Sequence, residues 1–275
     1  AVVFSNPNAA QFGVGGVAFS DKDFGSADLF WWDKETGGQT LITHSSVSGN
    51  MESAAVNAST LSAIANDSSG VVFANNNANN FGYKDTAFTD TGLAAADLFW
   101  WDKAKGEQKL ITHNSLAGNG ASSVTWSSTF YALANDSTGV VFGNLDGTQF
   151  GNNGIAFSDA GGSSNQDLFW WDKATGTQQL INHSSAPGNA SSGVAVNPNF
   201  VSVANDSSGL VFTQTDATQM GNNGKAFIDA GTSATDLFWW DKATGTQQLI
   251  THSSAVGNNA SAAVVNSNAY AMAND

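Results

Sequence analysis

Apolar residues fall in short runs separated by polar turns, and no segment shows a helical period. Ala63-Ile64-Ala65 is followed by Asn66-Asp67-Ser68-Ser69-Gly70, a set of turn-forming residues, and then by Val71-Val72-Phe73. A long polar excursion leads to Leu98-Phe99-Trp100-Trp101. The turn Asp102-Lys103-Ala104-Lys105-Gly106 then opens on Gln108-Lys109-Leu110-Ile111-Thr112. Four strands joined in this order predict an antiparallel meander. Because side chains alternate along a strand, Leu98 and Trp100 point to one face and Phe99 and Trp101 to the other. Both faces of the sheet are apolar, so both must be covered.

The same unit is written four times. Asp28-Leu29-Phe30-Trp31-Trp32-Asp33-Lys34 returns at Asp97, Asp167 and Asp236, with spacings of 69, 70 and 69 residues. Such a period marks a supersecondary unit that buries its apolar faces only against its neighbours. A four-stranded sheet lying between copies of itself is a propeller blade. The expected fold is therefore all-β, a four-bladed β-propeller with blades of about 69 residues. The repeats run end to end, giving a single domain over 1–275 with units of approximately 1–61, 62–130, 131–200 and 201–269.

Ala1-Val2-Val3-Phe4 matches the second strand of a repeat, whereas Tyr270-Ala271-Met272-Ala273-Asn274-Asp275 matches the first. Three strands from the start of the chain and residues 270–275 from its end would complete one blade and close the ring. First strands carry a small face in every copy (Ala63 and Ala65, Ala132 and Ala134, Ser202 and Ala204, Ala271 and Ala273), which suits close packing. An open stack of sheets, or a larger ring made by two chains, remains compatible with the same pattern.

The run Asp-Leu-Phe-Trp-Trp-Asp-Lys-Ala-Thr-Gly-Thr-Gln-Gln-Leu-Ile, followed by Ala-Asn-Asp-Ser-Ser-Gly-Val-Val-Phe, resembles the blade pattern of TolB-type bacterial propellers. The likeness extends over all four repeats. It departs from that pattern in the double Trp, in Asn-Asp-Ser-Ser-Gly where the family has Asp-Gly, and in the number of repeats. The resemblance implies interaction or scaffolding at the cell envelope and supplies no catalytic residues.

Composition narrows the partners. There are 23 acidic and 9 basic residues, all the basic ones lysine, for a net charge of -14. An acidic chain without arginine is a poor binder of nucleic acid or of anionic membrane surfaces. With no cysteine, disulfides and thiolate metal sites are excluded. No apolar run reaches the length of a membrane span, and Ala1 opens on strand-like sequence rather than a signal peptide. The Asn-, Ser-, Thr- and Gly-rich composition suggests a bacterial secreted, periplasmic or surface protein.

Binding on repeat scaffolds is usually done by the long loops, here those between strands two and three and between successive blades. Each carries an aspartate (Asp21, Asp90, Asp159, Asp229), with the strand-opening Asp28, Asp97, Asp167 and Asp236 seven or eight residues on. Such carboxylates suit calcium, yet none has the spacing of a strong calcium motif, and capture of backbone N–H groups is the competing role. His44, His113, His183 and His252 hold equivalent outer-strand positions and read as hydrogen-bonded structural residues. Trp126 alone lies outside the Trp-Trp pairs. It sits near the positions of Asn57, Asn197 and Asn266, where it would either offer a flat face to a sugar or plug the fold.

Glutamate occurs only at 35, 52 and 107, and no nucleophile elbow, phosphate loop or zinc-protease motif appears. The expectation is a non-catalytic binding or structural module at the cell surface or in the matrix, acting by protein scaffolding or self-association. A glycan-binding module using the long-loop face is the alternative, and a hydrolase a more distant one. No cofactor is called for beyond calcium.

Overall fold

The computed structural model describes the chain except residues 55–58, 93–94, 123–127, 164, 194–197, 232–233, 255–256, 263–266, 269–271 and 273–275. It forms two compact units, Ala1–Ser128 and Thr129–Asp275, each holding two repeats.

Three repeats form the expected meander. In repeat 2 the strands are Thr60–Ile64, Gly70–Asn75, Asp97–Asp102 and Glu107–Leu110, all antiparallel. Repeat 3 uses Thr129–Leu133, Gly139–Asn144, Asp167–Asp172 and Gln178–Leu180. Repeat 4 uses Asn199–Val203, Gly209–Gln214, Asp236–Asp241 and Thr246–Leu249. Repeat 1 is a three-stranded sheet of Val2–Asn6, Asp28–Trp32 and Gln39–Leu41. The strand expected to complete it, residues 270–275, lies outside the described residues except Met272.

Both faces of the third strand are buried, as its sequence requires. Leu98, Phe99, Trp100 and Trp101 all have 1% exposure or less. One face of each sheet also holds a Phe cluster closed by the strand two-to-three loop. In repeat 2, Phe73 stacks on Phe99 at 5.1 Å while Phe81 and Phe88 pack at 4.8 and 6.0 Å. Repeat 3 reproduces this with Phe142, Phe169, Phe150 and Phe157. Rings at these separations add edge and offset contacts to plain area burial.

Three local features differ from the sequence reading. The polar excursion contains a one-turn 3-10 helix and a miniature hairpin: Ala78–Asn80, then Gly82–Tyr83 against Thr86–Ala87 in repeat 2. The helix forms because Asn77 caps it, its side chain accepting from the Asn79 N–H; Asn8, Asp146 and Asp216 do the same elsewhere. In the strand one-to-two turn, positive φ falls on Ser68 (58°) rather than on Asn66 or Asp67. Asp67 instead uses its side chain to accept the Ser69 N–H. Gly70 is required for space, since a Cβ there would collide with the Trp101 carbonyl and the Trp100 ring. Finally, each complete first strand carries a bulge, between Leu61 and Ala63, Phe130 and Ala132, and Phe200 and Ser202. The bulge interrupts the simple alternation from which the small face was read.

Candidate functional site

The two long loops of each repeat are physically paired. Isolated bridges join Ser20 to Glu52, Thr89 to Ala121, Ser158 to Ser191 and Ile228 to Ala260. A second set joins His44 to Ser53, His113 to Ser122, His183 to Ser192 and His252 to Ser261. These bridges bring the loop aspartate, the strand-opening aspartate and a serine into one pocket per repeat.

Within it the loop aspartate organises backbone. Asp90 Oδ2 accepts from the Ala78 N–H at 2.8 Å, and its Oδ1 accepts from the Gly92 N–H at 2.8 Å and the Ser122 hydroxyl at 3.4 Å. Asp159 accepts from Gly147, Gly161 and Ser192, and Asp229 from Ala217, Gly231 and Ser261. Asp21 accepts from the Ala9 and Asp23 N–H groups. All four loop aspartates thus accept backbone N–H groups. Among the described residues no group of three or more His, Asp or Glu is arranged to hold a metal ion.

The strand-opening aspartates are almost sealed from solvent: Asp28, Asp97, Asp167 and Asp236 are 5%, 1%, 2% and 0% exposed. Asp97 Oδ1 accepts from the Thr112 hydroxyl at 2.9 Å, and Thr112 Oγ1 in turn accepts the Leu98 N–H. Thr43 and Thr251 do the same for Asp28 and Asp236. In repeat 3 Asn182 replaces the threonine, its amide nitrogen donating to Asp167 and its oxygen accepting the Leu168 N–H. The Oδ2 atoms of Asp97, Asp167 and Asp236 have no hydrogen-bond partner.

Burial without a counter-charge stabilises the protonated carboxyl. It pushes Asp97 up to about 8, Asp28 and Asp167 to about 7, and Asp236 to about 6. The neighbouring loop carboxylate adds to the effect in each case. At pH 7 Asp97 is therefore mostly neutral, Asp28 and Asp167 are divided between the two forms, and Asp236 is mostly ionised.

The histidines bind backbone. His44 Nδ1 lies 2.8 Å from the Ser45 carbonyl and its Nε2 3.0 Å from the Gly106 carbonyl of the next repeat. His183 has the same relation to Ser184 and Gly245. Burial holds both rings below the usual imidazole range, while the two carbonyls facing each ring favour its charged form. The structural role read from their positions is the one seen.

Trp126, Asn57, Asn197 and Asn266 lie outside the described residues, so the candidate sugar platform has no geometry to weigh. What the sequence reading passed over is the partner of each strand-opening aspartate. Thr43, Thr112, Asn182 and Thr251 sit a constant 15 residues downstream of it, a spacing that was available in the repeat register. Ser53, Ser122, Ser192 and Ser261 form a second missed set, equally periodic.

No protein family matches the chain, and no curated protein matches it in sequence. Among solved structures it is similar to the tricorn protease at 12% identity and a TM-score of 0.38, over 78% of this chain and 16% of that one. It is also similar to TolB from Acinetobacter baumannii at 11% identity and a TM-score of 0.33, over 82% of this chain and 37% of that one. The chain thus spans well under half the length of either.

Proposed function

We propose that the chain is a non-catalytic binding and assembly module whose sheets are propeller blades, working outside the cytoplasm through protein contacts. The observation that carries this reading is how the repeated polar side chains are used. The loop aspartates and the histidines His44 and His183 hold backbone, and each strand-opening aspartate holds the Thr or Asn side chain that takes the next backbone N–H. The four repeats place the same groups in the same roles, whereas an active site needs different groups in different roles. A ring of four blades, closed when residues 270–275 complete the first, is the finer architecture that the repeat period supports.

An extracellular location is proposed from the Asn-, Ser-, Thr- and Gly-rich composition. Among the described residues no helix is long and apolar enough to cross a membrane. The test is affinity capture with immobilised full-length protein from bacterial envelope and matrix extracts, alongside measurement of its mass in solution. Specific retention of a protein, or self-association, is expected. A dilute monomer that retains nothing would end this reading.

A further inference from the structure

Repeats 2 and 3 each gather two carboxyl groups around one buried serine. In repeat 2 Asp97 opens the third strand, Asp90 lies in the strand two-to-three loop, and Ser122 belongs to the loop that leads to the next repeat. Ser122 marks the place where the two loops meet. Its N–H donates to the Thr89 carbonyl at 2.8 Å, and its own carbonyl accepts from the Thr91 hydroxyl at 2.8 Å. Asp90 fastens the same place from the other side, through the Ala78 and Gly92 N–H groups.

The Ser122 hydroxyl donates to Asp90 Oδ1 at 3.4 Å and stands close enough to the Asp97 carboxyl to favour its ionised form. In repeat 3 the Ser192 hydroxyl donates to Asp159 Oδ1 at 3.2 Å and has the same relation to Asp167. Asp97 Oδ2 and Asp167 Oδ2 are buried without a hydrogen-bond partner. In repeat 3 that free oxygen lies on the side of the loop aspartate: a Cβ on Gly147 would come 2.6 Å from Asp167 Oδ2 and 3.5 Å from Asp159 Cβ.

A serine hydroxyl has one proton to give and two lone pairs with which to accept. Asp90 takes the Ser122 proton, and the Thr91 N–H uses one lone pair at 3.3 Å. Among the described residues no other group donates to the second, and a proton on Asp97 Oδ2 supplies the matching donor. With that proton in place, a chain of hydrogen bonds runs from Asp97 through Ser122 to Asp90. Without it, two carboxylates compete for a single hydroxyl proton. No cation relieves them, because the charged groups acting on Asp97 and Asp167 are Asp90 for the first and Asp159 and Asp146 for the second.

We infer that Asp97 and Asp167 are proton latches: each, when protonated, donates through its buried serine to the loop aspartate and fastens the paired long loops, and on losing the proton releases them. Each latch lies inside one repeat. Because the fastened state keeps a proton that the released state gives up, fastening weakens as pH rises from the ordinary 3.8 toward about 8 for Asp97.

The test reads the proton and the loops separately on the full chain. Infrared difference spectra across a pH titration should show a hydrogen-bonded carboxylic acid band that disappears as pH rises. Ser122→Ala should move part of that band to higher frequency, since the Asp97 proton loses its acceptor. In amide hydrogen exchange, corrected for intrinsic rate, Ala78 and Gly92 should open before Trp100. Their protection should fall by up to about tenfold per pH unit below pH 8. Asp97→Asn offers an N–H donor at every pH and should lose that slope, whereas Ser122→Ala should weaken loop protection at neutral pH and leave Trp100 protected. An Asp97→Asn chain with the wild-type slope overturns the inference, as does a Ser122→Ala chain whose band and loop protection match the wild type. Loops that open only together with Trp100 would overturn it too, because the proton would then serve global stability alone.

Discussion

At the level of single residues, the strand-opening aspartates make stability depend on pH in an unusual direction. Asp97 binds its proton more tightly folded than unfolded, so between its ordinary value of 3.8 and about 8 the native state holds the extra proton. Stability is then lost as pH rises through that window. The lowered histidines act oppositely, but only below 6.5, their ordinary value. Between pH 6.5 and 8 the melting temperature should therefore fall, and Asp97→Asn should flatten the slope; a rising profile would count against neutral acids. Because the loop aspartates already serve backbone donors, millimolar calcium and EDTA should leave the melting temperature unchanged. A calcium-dependent rise would reassign these carboxylates to a cation. The sequence exposed the aspartates through their period, but not their neutrality. Burial and an absent partner are properties of packing, and only the 15-residue offset to Thr112 or Asn182 hinted at them.

Among the elements, the double-Trp strands carry the largest packing contribution, and their two ends differ. Trp170→Ala removes a fully buried ring seated against Trp240 and should cost about 3–5 kcal/mol in urea unfolding. Trp239→Ala removes a half-buried one and should cost about 1 kcal/mol. Equal losses would mean that Trp239 is as closely packed in solution as Trp170. The four strands and their order were readable because apolar runs and turn residues alternate so plainly. The 3-10 turn at Ala78–Asn80 was not readable from periodicity, since it arises from a side-chain cap, and the hairpin at Gly82–Tyr83 turns on positive φ at Lys84 and Asp85. The positive φ of Ser68 was missed for a related reason: Asp67 could serve the turn with its side chain and leave the strained position to its neighbour.

For the whole molecule, charge and repetition pull against each other. A net charge of -14 repels a second copy at long range, while the packing of repeat 4 on repeat 3 is largely aromatic and amide chemistry. Screening by salt should strengthen self-association: going from 20 to 300 mM NaCl shortens the Debye length from about 20 Å to about 6 Å and weakens that repulsion. Sedimentation velocity at fixed protein concentration would show the change, and dissociation by salt would point to ion pairs instead. The identity of a partner was never legible in the repeats, because copied residues report what the copies do to one another.

The bulges of the first strands bear on a different hazard. Edge strands expose unpaired N–H and C=O groups, and a flat one is a template for further strands and for amyloid. Here Thr60–Ile64, Thr129–Leu133 and Asn199–Val203 each form the edge of a sheet, and each is kinked at the same register position. A protein built from near-identical, aromatic-rich β units would be unusually prone to fibrils were those edges straight. The kink lets the sequence be copied without making it infectious to itself.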